Sequence, residues 1–231
     1  MSTEVQGRNI YLVGGSKGGV GKSMLTIATI DYLVSKGDPP LLIECDTSNP
    51  DVWKAYHEEI PSETIDLDEA DGWIQLVNLC DAKRDATVII NTAARNNKAV
   101  TLYGQTLDTT LAELGRKLVT LWVINRQRDV LELLKEFQAA IPNALVHVVR
   151  NAWFGEERKF ELYNSSKLKD AIEGQGGKSI TFPELADRVA DDIYMKRLSL
   201  GAAAKVLPLG NRAELARWRG EVKKVLAEVI E

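Results

Sequence analysis

The chain has 231 residues, of which 45% are hydrophobic and 27% are charged, and its formal net charge is −4. This composition is typical of a globular protein with a sizeable core, and the length favours a single domain over residues 1–231. The slightly negative charge excludes a global field that would draw the protein to nucleic acid, so any such contact needs a local basic patch or a partner.

The N-terminal residues lack the apolar core of a signal peptide, and no apolar run in the sequence approaches the ~20 residues of a membrane span. The two cysteines, Cys45 and Cys80, have neither metal-binding nor redox spacing, which favours a reducing compartment. We therefore expect a cytoplasmic protein without an integral membrane segment.

Predicted strands and helices alternate along most of the chain, which indicates an α/β fold with a mostly parallel central sheet and helices on both faces. Strands are predicted at residues 10–13, 41–46, 86–92, 117–125, 144–151 and 178–183. Helices are predicted at residues 24–34, 51–59, 68–82, 105–116, 130–140, 160–173 and 184–205, with a break at Gly201, and in a final helix capped by Asn211. Residues 60–65 are expected to form a connection, and Arg95–Lys98 a surface stretch.

A glycine-rich segment, Gly14-Gly15-Ser16-Lys17-Gly18-Gly19-Val20-Gly21-Lys22-Ser23, joins the first predicted strand to the first helix. Strand, glycine-rich turn and helix form the context of a phosphate-binding loop, in which backbone N–H groups and the positive helix end face an anion. In such a loop Lys22 reaches the β- and γ-phosphates, and Ser23 ligates Mg²⁺. The common pattern has glycine at the position of Ser16, and a Rossmann-type loop without nucleotide is the alternative.

Within this segment, Lys17-Gly18-Gly19-Val20-Gly21-Lys22-Ser23 resembles the deviant Walker A motif of the ParA/MinD ATPases, which are SIMIBI-like P-loop NTPases. The resemblance implies that ATP and Mg²⁺ bind between two subunits of an ATP-dependent homodimer. It also implies that Lys17 reaches the ATP of the partner subunit, where it acts with Lys22. The nucleotide contacts expected from the motif are Gly18, Gly19, Val20, Gly21, Lys22, Ser23 and Met24.

Two carboxylates follow the second predicted strand, in the sequence Glu44-Cys45-Asp46, which is similar to the acid-x-acid pair of that family. By this resemblance Asp46 is a catalytic residue that positions the attacking water, and Glu44 contacts the magnesium shell. The alternative is a structural acid that caps the following turn.

The next predicted strand departs from the family pattern, because Asn91 stands where the family has an aspartate. Its amide keeps a carbonyl acceptor for a magnesium-bound water but carries no negative charge. With Ser23 and Glu44, Asn91 completes the predicted metal site. We therefore expect ATP binding to persist while hydrolysis is slow, and a nucleotide-dependent binding module with negligible hydrolysis is the alternative function.

Asn151 ends a late predicted strand, where the family places an asparagine against the adenine edge, and an ordinary turn asparagine is the alternative. The GTPase signature Asn-Lys-x-Asp is missing, since Asn97-Lys98 is followed by Ala99-Val100. ATP is therefore favoured over GTP.

The C-terminal helix carries an apolar stripe formed by Leu215, Trp218, Val222, Val225, Leu226 and Val229. This stripe favours a helix that covers the sheet, and the mixed charges of the polar face do not favour peripheral membrane contact. The helix also carries the candidate residues for nonspecific DNA contact, namely Arg212, Arg217, Arg219, Lys223 and Lys224.

As a whole, the resemblance implies an ATPase of plasmid partition, plasmid stability or conjugal transfer. It implies partner-stimulated hydrolysis and contact with DNA, either directly or through a DNA-binding adaptor or relaxosome protein. A metal-cluster carrier of the related iron-protein type lacks the paired cysteines of that group. A biosynthetic ligase or small-molecule kinase would need a substrate pocket that the sequence does not indicate.

Overall fold

The computed structural model describes residues 7–15 and 17–230; Ser16 and the N-terminal residues used in the signal-peptide argument lie outside this range. A seven-stranded sheet has the order β3-β2-β4-β1-β5-β6-β7, and every neighbouring pair is parallel. The strands are β1 (Ile10–Gly15), β2 (Leu41–Glu44), β3 (Ser62–Thr64), β4 (Val88–Asn91), β5 (Leu118–Ile124), β6 (Leu145–Asn151) and β7 (Ser179–Phe182). The predicted parallel α/β fold is confirmed.

Helices cover both faces of this sheet, because the buried strands supply apolar side chains to each face alternately. Tyr11 and Val13 of β1 belong to one apolar cluster, whereas Ile10 and Leu12 belong to the other. The helices are α1 (Lys22–Ser35), α2 (Asp51–Tyr56), α3 (Ala70–Ala82), α4 (Asn97–Asp108), α5 (Leu111–Leu114), α6 (Asp129–Ala140), α7 (Glu161–Asn164), α8 (Lys167–Gly174), α9 (Asp187–Met195), α10 (Leu200–Val206) and α11 (Leu209–Leu226).

The sheet order places three strand ends of interest beside one another. β4 lies between β2 and β1, so that Asn91 is in register with Glu44 on one side and with Val13 on the other. Ligands of open parallel sheets bind outside the carboxyl ends of the strands, where the chain reverses its direction of winding. The loop after β1 and the acids after β2 therefore meet at this carboxyl edge.

The expected connection at residues 60–65 is wrong, because Ser62–Thr64 forms the edge strand β3 beside β2. The expected surface stretch Arg95–Lys98 is also wrong in part. Asn96 is buried, and α4 begins at Asn97 rather than near residue 105. Short polar segments of this kind gain their secondary structure from pairing and packing rather than from local propensity.

The C-terminal third differs from the sequence prediction at its helix ends. Residues 160–173 divide into α7 and α8, and the Ser166 hydroxyl accepts from the Lys169 N–H at the start of α8. The break expected at Gly201 lies earlier, at Arg197, whose φ of 50° ends α9. Asn211 is not a cap, because α11 already begins at Leu209, and its side chain instead donates to Asp192.

The apolar stripe of α11 is buried, as predicted for a helix that covers the sheet. Trp218 is fully buried, packs edge-on against Phe182 of β7, and donates its indole N–H to the carbonyl of Pro183. Within residues 7–15 and 17–230, no helix combines the length and apolar character needed to cross a bilayer. The single domain over residues 1–231 stays a prediction.

Candidate functional site

The loop between β1 and α1 has the backbone of an anion cradle. Gly19 and Gly21 have positive φ values of 74° and 107°, which favour glycine. At Gly21 a Cβ would also lie 2.4 Å from Nδ2 of Asn151, so no larger residue fits. Helix α1 then begins without a side-chain cap and without an acidic residue in its first turn. Its first N–H groups are therefore left to an anion from outside the helix.

Lys22, the first residue of α1, is a buried cation, and no carboxylate among the described residues forms a hydrogen bond with it. The side chain is 8% exposed, and Nζ donates to the carbonyl oxygen of Lys17 at 2.9 Å. Burial lowers the pKa of Lys22 to about 8, while the negative charge of Asp46 acts in the opposite direction. A phosphate in the cradle would supply the missing counter-charge at close range.

Lys17 is exposed and is bound within its own chain in this structure. Its ammonium forms an ion pair with Asp129 at the start of α6, and this pair lowers the pKa of Asp129. A role of Lys17 in a partner subunit would require this contact to break. Since the pair is partly exposed, its separation costs little.

A chain of hydrogen bonds connects the cradle to the acids at the carboxyl edge. The Thr26 hydroxyl shares its proton between the carbonyl oxygen of Lys22 at 3.0 Å and Oδ1 of Asn91 at 2.9 Å. Nδ2 of Asn91 donates to Oε1 of Glu44 at 2.8 Å. The backbone N–H of Asp46 donates to the same Oε1 at 2.9 Å. Both ends of the Asn91 amide are therefore used inside the protein.

Glu44 is the most deeply buried acid of this edge, with 0% exposure. Burial raises the pKa of Glu44 to about 7, although the donors from Asp46 and Asn91 favour the charged form. The N–H of Trp53 in α2 faces the same carboxylate, yet Oε2 has no hydrogen-bond partner within residues 7–15 and 17–230. A buried acceptor without a partner is costly, which indicates that the site is completed by a further group.

These residues fit the Mg²⁺ that the resemblance implies. Mg²⁺ in nucleotide sites is held by one or two protein oxygens together with phosphates and waters. The unpartnered Oε2 of Glu44 supplies such an oxygen, and Ser23 lies in the first turn of α1. Among residues 7–15 and 17–230, no cluster of three or more His, Cys, Asp or Glu side chains could hold a metal alone. Phosphate oxygens would have to complete the coordination.

Asp46 is held by an arginine that the sequence analysis did not single out. The guanidinium of Arg95 lies 3.3 Å from Oδ1 of Asp46 and donates to the hydroxyls of Thr47 and Ser48 at 2.9 Å. It also forms an ion pair with Asp68, which further raises the pKa of Arg95. Arg95 thus fastens the loop after β2 to the segment after β3. In the sequence, Arg95 closely follows the end of β4, where Asn91 stands in place of the family's aspartate. This position is the signal that could have identified Arg95.

Asn151 lies beneath the cradle. Its Nδ2 donates to the carbonyl oxygen of Val20 at 2.8 Å, and its Oδ1 accepts from the N–H of Trp153 at 3.1 Å. These bonds support the cradle and the turn after β6, which is the structural alternative weighed from the sequence. Contact with an adenine would require a second bond at Oδ1 or a rearrangement of the amide.

A cleft of about 340 Å³ opens beside the cradle, with Gly19 and Gly21 on one wall. Its apolar surface includes Trp153, which is 53% exposed. Its other lining residues are Met24, Asn151, Phe182, Pro183, Glu184, Leu185, Asp187, Ala190, Asp191, Tyr194 and Trp218. An aromatic and apolar cleft of this size next to a phosphate cradle fits a nucleobase.

The basic residues proposed for DNA contact are partly neutralised. Arg219 forms a two-bond ion pair with Asp31 of α1, at 2.6 and 2.9 Å. Arg217 is paired with both Glu214 and Glu221. Since paired arginines contribute less to phosphate binding, the candidate patch is weaker than the sequence suggests.

Comparison with known proteins places this geometry in a family. Over 223 residues the chain is 70% identical to Protein MobD of Acidithiobacillus ferrooxidans, covering 96% of this chain and 98% of that protein. The chain belongs to the family of Protein MobD. No protein-family model matches it.

Solved structures show the fold at much lower sequence identity. MinD of Aquifex aeolicus is 12% identical with a TM-score of 0.55, covering 96% of this chain and 98% of that one. FtsY of Thermotoga maritima is 15% identical with a TM-score of 0.54, covering 96% and 72%. A nucleotide-binding protein of Archaeoglobus fulgidus, solved with ADP, is 14% identical with a TM-score of 0.50, covering 87% and 89%. The chain therefore shares the fold of these proteins.

Proposed function

We propose that this protein is a Mg²⁺-dependent ATPase of the ParA/MinD type, whose ATP-bound form is a homodimer. The observation that supports this most is the uncapped start of α1 behind Gly19 and Gly21, with Lys22 buried beside it. Burying a cation next to free N–H groups is costly, and a bound triphosphate would offset that cost.

In the proposed reaction the N–H groups of Gly18, Gly19, Val20, Gly21, Lys22 and Ser23 cradle the phosphates. Lys22 exchanges its contact with the Lys17 carbonyl for β- and γ-phosphate oxygens. Ser23 and Glu44, supported by Asn91, would hold Mg²⁺, and the bound cation would supply neutralisation of charge on the phosphates. Asp46, which Arg95 holds in place, orients the attacking water. Lys17 leaves Asp129 and reaches the partner's ATP.

The cleft beside the cradle would take the base, with Met24 and Asn151 on its wall and Trp153 available for stacking. The acidic side chains Glu184, Asp187 and Asp191 on its rim favour a base edge that donates hydrogen bonds, such as the adenine amino group. We keep ATP as the proposed nucleotide on this ground.

We further propose that the protein serves plasmid DNA transfer, with partition and stability as the other processes of this group. The relationship to Protein MobD, whose name we take to refer to mobilisation, supports transfer. The partial pairing of Arg217 and Arg219 favours a DNA-bound adaptor or relaxosome protein over direct DNA contact. Location in the cytoplasm stays a prediction.

Titration calorimetry with Mg-ATP and size exclusion with ATP, with ADP and without nucleotide test this proposal. We expect binding heat and a dimer with ATP alone. Lys17→Ala should keep the binding heat and lose the dimer, and Lys205→Ala, a basic residue on α10, serves as the matched control. Absence of heat, or a monomer in all three states, contradicts the proposal.

A nucleotide-dependent binding module without hydrolysis is the second candidate, and it is favoured by the neutral amide of Asn91, which accepts from Thr26 and donates to Glu44. Single-turnover hydrolysis with and without plasmid DNA separates the two candidates. A module would bind ATP and form the dimer, yet release no phosphate under either condition.

A further inference from the structure

The ends of β2 and β4 carry a carboxylate and an amide in direct contact. Glu44 and Asn91 are paired in register across the two parallel strands, and Nδ2 of Asn91 donates to Oε1 of Glu44 at 2.8 Å. The family pattern described above would put an acid at position 91. With Glu44 unchanged, that acid would set two carboxylates at hydrogen-bond distance inside the protein, where both cannot stay ionised.

The surroundings of the pair provide for one negative charge only. Glu44 receives two donors at Oε1, from Asn91 and from the Asp46 N–H, and its Oε2 remains buried without a partner. Asn91 accepts from the Thr26 hydroxyl at Oδ1 and donates from Nδ2 to Glu44, so its amide orients the carboxylate and adds no negative charge. The carboxylate is thus oriented by fixed donors, with one oxygen left for a ligand.

We propose that the acidic function of this site has moved from β4 to β2: Glu44 supplies the single charge towards Mg²⁺, and Asn91 is the positioning residue that holds it. This inference rests on the proposed nucleotide function and deepens it. It differs from the sequence analysis, in which the missing negative charge at position 91 is the reason for slow hydrolysis. Here Asn91→Asp adds a second carboxylate against Glu44 and impairs the site.

The test compares Glu44→Gln, Asn91→Asp and the double variant Glu44→Gln/Asn91→Asp with the parent chain. The first readout is the affinity for methylanthraniloyl-ATP, measured once in excess Mg²⁺ and once in EDTA. The ratio of these two affinities reports the contribution of the cation. Glu44→Gln should reduce this ratio by about 10-fold or more. In other metal sites, loss of an outer-shell partner already lowers metal affinity by about this factor. The double variant, with the acid returned to β4 and an amide on β2, should recover most of the ratio.

The second readout needs no nucleotide. Asn91→Asp should lower the thermal midpoint of the nucleotide-free protein at pH 8 by about 4 °C or more, because two buried carboxylates repel one another. The double variant should regain that midpoint. Glu63→Gln is the matched control, since Glu63 is an exposed glutamate on the neighbouring strand β3, and neither readout should change.

The outcomes separate this inference from the proposed function. Three results would overturn the proposal that Glu44 supplies the charge and Asn91 holds it. They are an undiminished Mg²⁺ dependence of affinity in Glu44→Gln, a stronger dependence in Asn91→Asp, and a double variant whose Mg²⁺ dependence is no greater than that of Glu44→Gln. If the parent chain binds no nucleotide, the proposed function fails. The thermal midpoints would still test the Glu44–Asn91 pair in that case. An unchanged midpoint in Asn91→Asp would contradict the inference that this site accommodates only one negative charge.

Discussion

The central sheet has an amino edge, where its strands begin, and a carboxyl edge, where they end. Buried charged groups at these two edges differ in how fully they are hydrogen-bonded. At the amino edge, the guanidinium of Arg116 is 5% exposed and donates to five backbone carbonyls, those of Arg8, Asn9, Cys80, Lys83 and Ala86. At the carboxyl edge, Oε2 of Glu44 has no partner in the described part of the chain, where Lys22 donates to the neutral carbonyl of Lys17. The first edge is complete by itself, whereas the second has unused bonding capacity, which is what a ligand site requires.

Cleft size alone would point to the wrong edge. A cleft of about 900 Å³ lies at the amino edge beside the start of β5 and β6, and it is larger than the one beside the phosphate cradle. Two of its charged groups are already engaged, since Asp108 accepts two bonds from Asn143, and Arg84 is bound to Asp81 and to two carbonyls. Unsatisfied polar groups therefore select the candidate site, whereas cleft volume would select the amino edge.

The largest expected effect is on stability, at the amino edge. Arg116→Met should reduce the free energy of unfolding by about 4 kcal/mol or more, because several buried carbonyls lose their donor together. Denaturant titration measures this loss. Nucleotide affinity of the folded fraction should stay unchanged, and a variant that loses affinity without losing stability would contradict the division between the edges.

At Lys22 we expect the opposite result, a loss of ATP affinity without a loss of stability. Lys22→Met should weaken ATP binding by about 100-fold, since a desolvated cation on a phosphate contributes several kcal/mol. The nucleotide-free protein should lose no stability, because the variant removes a buried charge with a lowered pKa. Calorimetry and denaturant titration measure the two effects, and Lys36→Met, an exposed lysine at the other end of α1, is the control.

A pH-dependent effect is expected at Glu44, whose pKa is raised from 4.5 to about 7 by burial. The folded protein then binds more protons than the unfolded chain between these values, so the stability from protonated Glu44 is present below pH 4.5 and is lost as the pH rises through 7. Asp46 and Lys22 are the charged groups facing this region.

Glu44→Gln keeps the acceptor for Asn91 and removes this titration. Its unfolding free energy relative to the parent chain should therefore be roughly 2–3 kcal/mol higher at pH 8 than at pH 5. Denaturant titrations of the nucleotide-free proteins at both pH values measure the difference. An equal difference at both pH values would show that Glu44 is not the group that titrates.

The smallest effect is expected at Arg95, which positions Asp46. Arg95→Ala should lower kcat for ATP hydrolysis by about 10-fold while leaving ATP affinity unchanged, because the acid loses its fixed orientation. Arg95→Lys should restore part of the rate. A change in ATP affinity with an intact kcat would instead place Arg95 on the nucleotide.

The sequence by itself determined the phosphate cradle and the parallel α/β fold. The loop at residues 17–23 is a local pattern, and the spacing of its glycines relative to Lys22 already fixes which backbone groups face an anion. The alternation of apolar strands and helices likewise fixed the fold class, because each element carries its own periodicity. The buried stripe of α11 was readable for the same reason.

Only the tertiary structure decided how the acids, the amides and Arg95 are paired. Glu44 meets Asn91 across 47 residues, Asp46 meets Arg95 across 49, and Asn151 reaches Val20 across 131. These contacts depend on the sheet order, with β4 between β2 and β1, which long-range packing selects and no single segment encodes. Whether a buried polar atom has a partner is likewise a property of the assembled fold, since the partner comes from a distant part of the chain.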